Sequence, residues 1–135
     1  MILILCVDDR GGLMFNRRRQ SQDRILRADI LELTDGKKLW MNAYSRKQFA
    51  ESDAEKIRVY ETFLDAAGDG EFCFVENADV SGCVERIEEI YLYRWNRDYP
   101  ADVYFPVDLS VWKCVETKEF AGSSHEKITR ERYTC

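Results

Sequence analysis

The last third of the chain sets the tightest limit on the fold. Residues 87–133 hold three strand-like runs, at 89–95, 111–120 and 127–133, with no helical period between them. Strands that follow one another without a crossover helix pair antiparallel. The first third reads differently. Met1-Ile2-Leu3-Ile4-Leu5-Cys6-Val7 is unbroken apolar sequence, the pattern of a strand covered on both faces. Asp8-Asp9-Arg10-Gly11-Gly12 ends it. Leu26, Ile30 and Leu33 then recur at helical spacing. Ser21 stands where an N-cap belongs, Asp23 falls in the first turn, where a carboxylate suits the helix dipole, and Gly36 stops the helix. Leu39-Trp40-Met41 follows as a strand. Strand, helix and strand of these lengths make a βαβ unit with parallel pairing and a right-handed crossover. The two ends together predict an α/β fold: a mostly parallel twisted sheet with flanking helices, finishing in an antiparallel hairpin.

The middle is less regular. Ser45 is expected to cap a short helix through Phe49. A longer helix is expected over 53–67, with Ile57, Tyr60, Phe63, Leu64 and Ala67 inward and Gly68 and Gly70 closing it. Glu71-Phe72-Cys73-Phe74-Val75 reads as a buried strand, and 80–87 as a further short helix. A length of 135 residues predicts one domain, 1–135, and 45% hydrophobic residues supply its core. A net charge of −5 argues against nucleic acid and anionic membranes as partners. No apolar run approaches the roughly 20 residues that span a bilayer, and the apolar start is too short, and lacks the basic residues, for a signal peptide. Five cysteines without a CxxC pair suit a reducing cytoplasm, with Cys6, Cys73 and Cys114 as small core residues. One histidine, His125, is too few for a zinc site, so no metal is expected. Its turn-rich surroundings place it at the surface.

Several residues suit a ligand. Asp8 and Asp9 follow the carboxyl end of the first strand, where open α/β sheets bind small molecules, and Asn16 lies in the same loop. Arg17, Arg18 and Arg19 form the strongest basic cluster, able to hold a phosphate or an acidic partner. Ser45 and the residues before it start a helix after a strand, a place where backbone N–H groups meet anions. Glu76 and Asn77 follow a buried strand and suit either a pocket or a turn. Trp40, Trp95 and Trp112 suit core packing or a stacking platform.

The order of these pieces resembles dihydrofolate reductase. Leu3-Ile4-Leu5-Cys6-Val7-Asp8 with Gly12 and Asn16 is similar to that family's first strand and the loop over its substrate. Leu39-Trp40-Met41 with Ser45 and Phe49 resembles the strand and helix on the cofactor's phosphate side. Ile87 to Trp95, then Tyr104-Phe105-Pro106, Trp112, Glu119-Phe120 and Glu131-Arg132-Tyr133, resemble its end. The resemblance implies that Asp23 holds a pterin-like ring, as the tentative catalytic and ligand-binding acid. A bidentate carboxylate pair with an amino-heterocycle is the chemistry involved. The departures lie at the cofactor. Asn42-Ala43-Tyr44-Ser45 stands where the family has a Gly-Arg-Lys-Thr-like turn, and Glu76-Asn77-Ala78 where it has paired glycines. A side chain and a carboxylate there crowd and repel a diphosphate. A strand–loop–strand section of the middle is also shortened.

The chain is also similar to a small bacterial family sometimes labelled ribonuclease Z. That chemistry needs an HxHxDH cluster holding two zinc ions, and His125 stands alone. The expectation is therefore a non-classical ligand-binding or interaction protein. Its partner would be a small heterocyclic or phosphorylated ligand, or a second copy in a homo-oligomer. NADPH is disfavoured as cofactor. A divergent reductase using nicotinamide or flavin is the alternative.

Overall fold

The structure, a computed structural model, describes residues 1–49 and 55–135. In chain order the elements are β1 (Ile2–Val7), β2 (Gly12–Phe15), β3 (Arg18–Arg19), α1 (Arg24–Leu33), β4 (Leu39–Met41) and α2 (Ala43–Arg46), which runs on into a 3-10 turn. Then come β5 (Ile57–Val59), α3 (Phe63–Ala66), β6 (Phe72–Phe74), β7 (Glu89–Arg94), β8 (Val103–Tyr104), β9 (Lys113–Phe120) and β10 (Ile128–Thr134). Seven strands form the main sheet in the order β5-β4-β6-β1-β7-β10-β9. β1 pairs parallel with β6 and β7, and β4 parallel with β5 and β6. β10 pairs antiparallel with β7 and β9, the terminal hairpin that the sequence announced. A small antiparallel sheet, β3-β2-β8, lies apart.

β1 runs through the middle of the core because both its faces are apolar. Ile2 and Ile4 pack with Leu26 and Ile30 of α1, and Leu3, Leu5 and Val7 pack on the opposite side with Phe63, Val75 and Leu92. Leu26 and Ile30 are fully buried, each worth roughly 2–3 kcal/mol relative to exposure. Beneath α1, Asp29 accepts hydrogen bonds from the Tyr93 hydroxyl (2.6 Å), Lys118 (2.9 Å) and Arg130 (2.8 Å), tying the helix to three strands.

The expected helix over 53–67 is replaced. Residues 53 and 54 lie outside the described residues. Ile57–Val59 is a strand on the edge of β4, and only Phe63–Ala66 is helical. The β-branched Ile57 and Val59 gain a parallel partner there, which outweighs their helical spacing. Tyr60 is exposed, not inward. The helix expected over 80–87 shrinks to one 3-10 turn, Val84–Arg86, anchored by buried Val80 and Ile87. Ser21 does not cap α1; Asp23 does. Asn42, not Ser45, caps α2. Cys114 is exposed on the edge strand, while Cys73 is buried. His125 is 4% exposed, against the surface expectation. Among the described residues no helix is long and apolar enough to cross a membrane, and no group of three or more acid, Cys or His side chains is placed to hold a metal ion.

Candidate functional site

The carboxyl ends of β1, β4 and β6 meet at one side of the sheet, where open α/β folds place their ligand crevice. Glu76, just beyond β6, fills this ground. Its carboxylate accepts from Arg19 Nε (2.8 Å) and Nη2 (3.1 Å), Ser45 Oγ (2.8 Å) and Gln48 Nε2 (3.1 Å). Arg19 is held in turn. Its guanidinium lies 4.4 Å from the Tyr44 ring centroid, and its backbone N–H donates to the Tyr44 hydroxyl at 2.7 Å. Asn42 donates to Asn77 (2.8 Å) and so ties the end of β4 to the end of β6. What remains inside is a cavity of about 10 Å³, bordered by Cys6, Leu13, Arg19, Ser21, Gln48 and Glu76. That is room for one water. Burial pushes the Cys6 thiol well up, and the carboxylates of Glu76 and Asp23 add to the rise. Cys6 is therefore a neutral thiol and a poor nucleophile.

The anion site expected around Ser45 is already occupied. The Ala43 N–H donates to Glu61 (2.9 Å), the Ser45 N–H to Asn42 (3.0 Å), and the Ser45 hydroxyl to Glu76. Of the arginine cluster, Arg19 belongs to the Glu76 lock. Arg17 and Arg18 are exposed, and among the described residues neither guanidinium has a hydrogen-bond or ion-pair partner. They sit on the β2–β3 hairpin, whose two turn residues, Asn16 (φ 51°) and Arg17 (φ 61°), are both left-handed. That matches the primed turn a two-residue hairpin needs. Asn tolerates the conformation; Arg is strained in it. The Asn16 N–H donates to Asp102 (3.0 Å).

Asp8 is buried and takes N–H donors from Arg10 and Gly12 (2.8 Å each) and the Gln20 amide (2.8 Å). Burial pushes its carboxyl up, but these donors outweigh it and hold it below the usual carboxylate range. Gly12 is required: a β-carbon there would lie 2.5 Å from the Ala101 β-carbon and 2.7 Å from Asp8 Oδ2. Asp9 is exposed, and its backbone N–H donates to Arg97 at 2.9 Å. Among the described residues, Gln20 Oε1 is buried without a hydrogen-bond partner. Its orientation is fixed, because Asp8 Oδ2 is acceptor-only and must face the NH₂. Gln20 also borders the cavity of about 10 Å³, where one water can donate to it.

Asp23 is 2% exposed and saturated. Oδ1 accepts from the N–H groups of Ile25 (2.9 Å), Leu26 (3.2 Å) and Ser123 (3.0 Å); Oδ2 accepts from the Ser124 N–H (2.8 Å) and His125 Nδ1 (3.1 Å). Burial pushes the carboxyl up, yet the donors from Ser123, Ser124, His125 and Leu26 prevail and hold it far below the ordinary range. With every lone pair taken, this geometry fastens the 122–125 loop to the start of α1 and leaves nothing to grip a heterocycle.

Surface hollows open beside the hairpin and beyond the end of β6. One, of about 310 Å³, is lined by Phe15, Asn16, Arg18, Arg19, Gln20, Tyr99 and Pro100. A second, of about 560 Å³, lies across the hairpin between Met14, Arg17, Asn77, Asp102 and Val103. A third, of about 330 Å³, runs from Glu61 to Asp65 and from Ala78 to Cys83 and carries three acids, Glu61, Asp65 and Asp79.

No protein-family model matches the chain, and no curated protein matches it in sequence. Solved structures do. Dihydrofolate reductase from Enterococcus faecalis, complexed with NADP(H) and RAB-propyl, superposes with a TM-score of 0.70 over 98% of this chain and 94% of that one, at 13% identity. The fold is that of dihydrofolate reductase. At that identity the likeness covers architecture: the mostly parallel sheet and the terminal antiparallel strands.

Of the residues singled out from sequence, Asp8, Asn16, Arg18 and Arg19 converge around the hairpin and Gln20. Asp9 lies apart from them, Ser45 meets Arg19 through the shared Glu76 carboxylate, and Asp23 is buried against Ser123 and Ser124. Sequence reasoning passed over Gln20, Gln48 and Tyr99, and took Tyr44 only as part of a helix start; their roles come from long-range contacts. It also missed the nest under His125. Gly122-Ser123-Ser124 before a histidine was a readable signal, since small hydroxyl residues next to glycine offer several donors to one anion.

Proposed function

We propose that the chain is a ligand-binding protein on a dihydrofolate-reductase-like frame, with its dinucleotide crevice closed by its own side chains. The Arg19–Glu76 lock supports this most directly, because a diphosphate could enter only by displacing a buried, four-fold hydrogen-bonded carboxylate. The ligand site is the hollow of about 310 Å³ beside the hairpin, at the lower end of the range for small-molecule pockets. Arg18 supplies a cation without a partner among the described residues, and Phe15 and Tyr99 supply ring surface. The cation and the two rings select a flat heterocycle that bears a carboxylate or phosphate.

Calorimetric titration with NADPH is expected to give no saturable heat, whereas a nucleoside monophosphate or a heteroaromatic carboxylate binds. Arg18→Ala weakens that binding at least tenfold, the loss of one charge-assisted contact. Tight NADPH binding would overturn the reading and favour the divergent reductase, the role that the solved neighbour's bound NADP(H) suggests.

A further inference from the structure

His125 is the chain's single histidine, and the ligand hollow makes no use of it. It is buried and stacked on Trp95 with ring centroids 4.5 Å apart. Nδ1 meets Asp23 Oδ2 at 3.1 Å, so the carboxylate fixes the tautomer that leaves Nε2 as an acceptor. Two hydroxyls point at Nε2: Tyr99 at 2.9 Å and Ser21 at 3.2 Å. Carboxylate, imidazole and serine hydroxyl in that order, within hydrogen-bond reach, are the contacts of an activated nucleophile. Sequence gave no sign of it, because Ser21 and His125 are 104 residues apart.

We propose that Ser21, His125 and Asp23 form an acyl-transfer centre that accepts a short acyl group from an activated ester. Ser21 is partly exposed, and its side chain borders the cavity of about 10 Å³ into which Arg19 and Gln48 also face. Both donate to Glu76 on the same wall, which orders that side of the site. The space beside Ser21 holds about one water at rest, which restricts the acyl group to the smallest. In the reaction Ser21 Oγ bonds to the ester carbon and its proton passes to His125 Nε2. The C–O bond to the leaving alcohol breaks, and His125 returns the proton to that alcohol. Water then adds to the acyl-serine with His125 as base, releasing the carboxylic acid and restoring the hydroxyl. Tyr99 competes for the same Nε2 lone pair, so it restrains the serine.

The full chain, treated with a small fluorophosphonate and examined by intact-mass and peptide mass spectrometry, is expected to gain one adduct, on Ser21. Ser21→Ala, which removes a hydroxyl whose contact is with His125, folds as the parent does by circular dichroism and takes no label. Tyr99→Phe labels severalfold faster and hydrolyses p-nitrophenyl acetate severalfold faster, a change that a merely structural histidine would not produce. Absence of a Ser21 adduct in both the parent and Tyr99→Phe overturns the proposal, as does equal acetate-ester hydrolysis by the parent and Ser21→Ala.

Discussion

Removing Arg19 tests whether the crevice is truly locked. Glu76 is 9% exposed, and the Arg19 side chain is 20% exposed. Arg19→Met keeps the apolar stem but leaves a buried carboxylate with two neutral donors, from Ser45 and Gln48. Stranding one member of a buried pair costs about 3–5 kcal/mol, and the two surviving donors place this case near 3 kcal/mol. With a urea slope of about 1.5 kcal/mol/M, the midpoint falls by roughly 2 M. Glu76→Gln strands the cation instead and turns an amide NH₂ towards Arg19 or Gln48, a donor against a donor, at a similar cost. The double variant removes both charges, so its loss stays near 3 kcal/mol, well short of the roughly 6 kcal/mol that independent sites would give. Urea melts of the four proteins supply the cycle. Additive losses, or single losses under about 1 kcal/mol, would show that water already reaches the pair, and the argument for a closed crevice would fail.

The remaining tests concern the structural anchors. The Asp23 carboxyl is depressed in the folded state, so its stabilisation is complete above the ordinary Asp value of about 3.9 and is lost as pH falls below it towards the lowered folded value. Asp23→Asn should cost roughly 2–3 kcal/mol at pH 7 and flatten the acid limb of urea midpoints measured from pH 2.5 to 7; an unchanged limb refutes the assignment. Gly122→Ala places a β-carbon against Asp23 Oδ2 and 2.8 Å from Ile128 Cδ1, and should lower stability by about 1–3 kcal/mol, read by thermal melting; a neutral result would mean that the loop shifts freely. Tyr93→Phe removes the 2.6 Å bond to Asp29, which keeps Lys118 and Arg130, so the loss in urea should be only about 1–2 kcal/mol; a loss above 3 kcal/mol would mean that the hydroxyl alone holds the cluster.

The elements that were legible in sequence are those whose partners are local or whose burial is complete. β1 declared itself through six apolar residues before Val7, and α1 through Leu26 and Ile30. The β7, β9 and β10 succession declared itself through the missing helices between them. Ile57–Val59 did not, because three residues carry no period and the strand exists only against Leu39–Met41. Nor did β2, β3 and β8, which are four residues or fewer. Of the site, the substitution of Glu76 for a glycine was legible as an obstacle to phosphate. That Glu76 is neutralised by Arg19, 57 residues away, was not. His125 misled because polar neighbours in sequence suggested solvent, whereas in space those same serines face Asp23.

Two effects oppose a dinucleotide, and their sizes differ. The hollow between Glu61 and Cys83 presents three exposed acids to any phosphate. Unit charges about 8 Å apart in water repel by only about 0.5 kcal/mol each, and physiological salt reduces that further. Such acids lower affinity but do not forbid binding. The Arg19–Glu76 pair is different, because opening it breaks the bonds of a buried carboxylate, at a cost of several kcal/mol before the ligand gains anything. On the proposed reading, neutralising the surface acids leaves NADPH unbound, and undoing the pair does not by itself restore the backbone approach that Asn77 and Ala78 obstruct. The proposed exclusion therefore rests on packing at the ends of β4 and β6, with charge on the rim as the smaller effect.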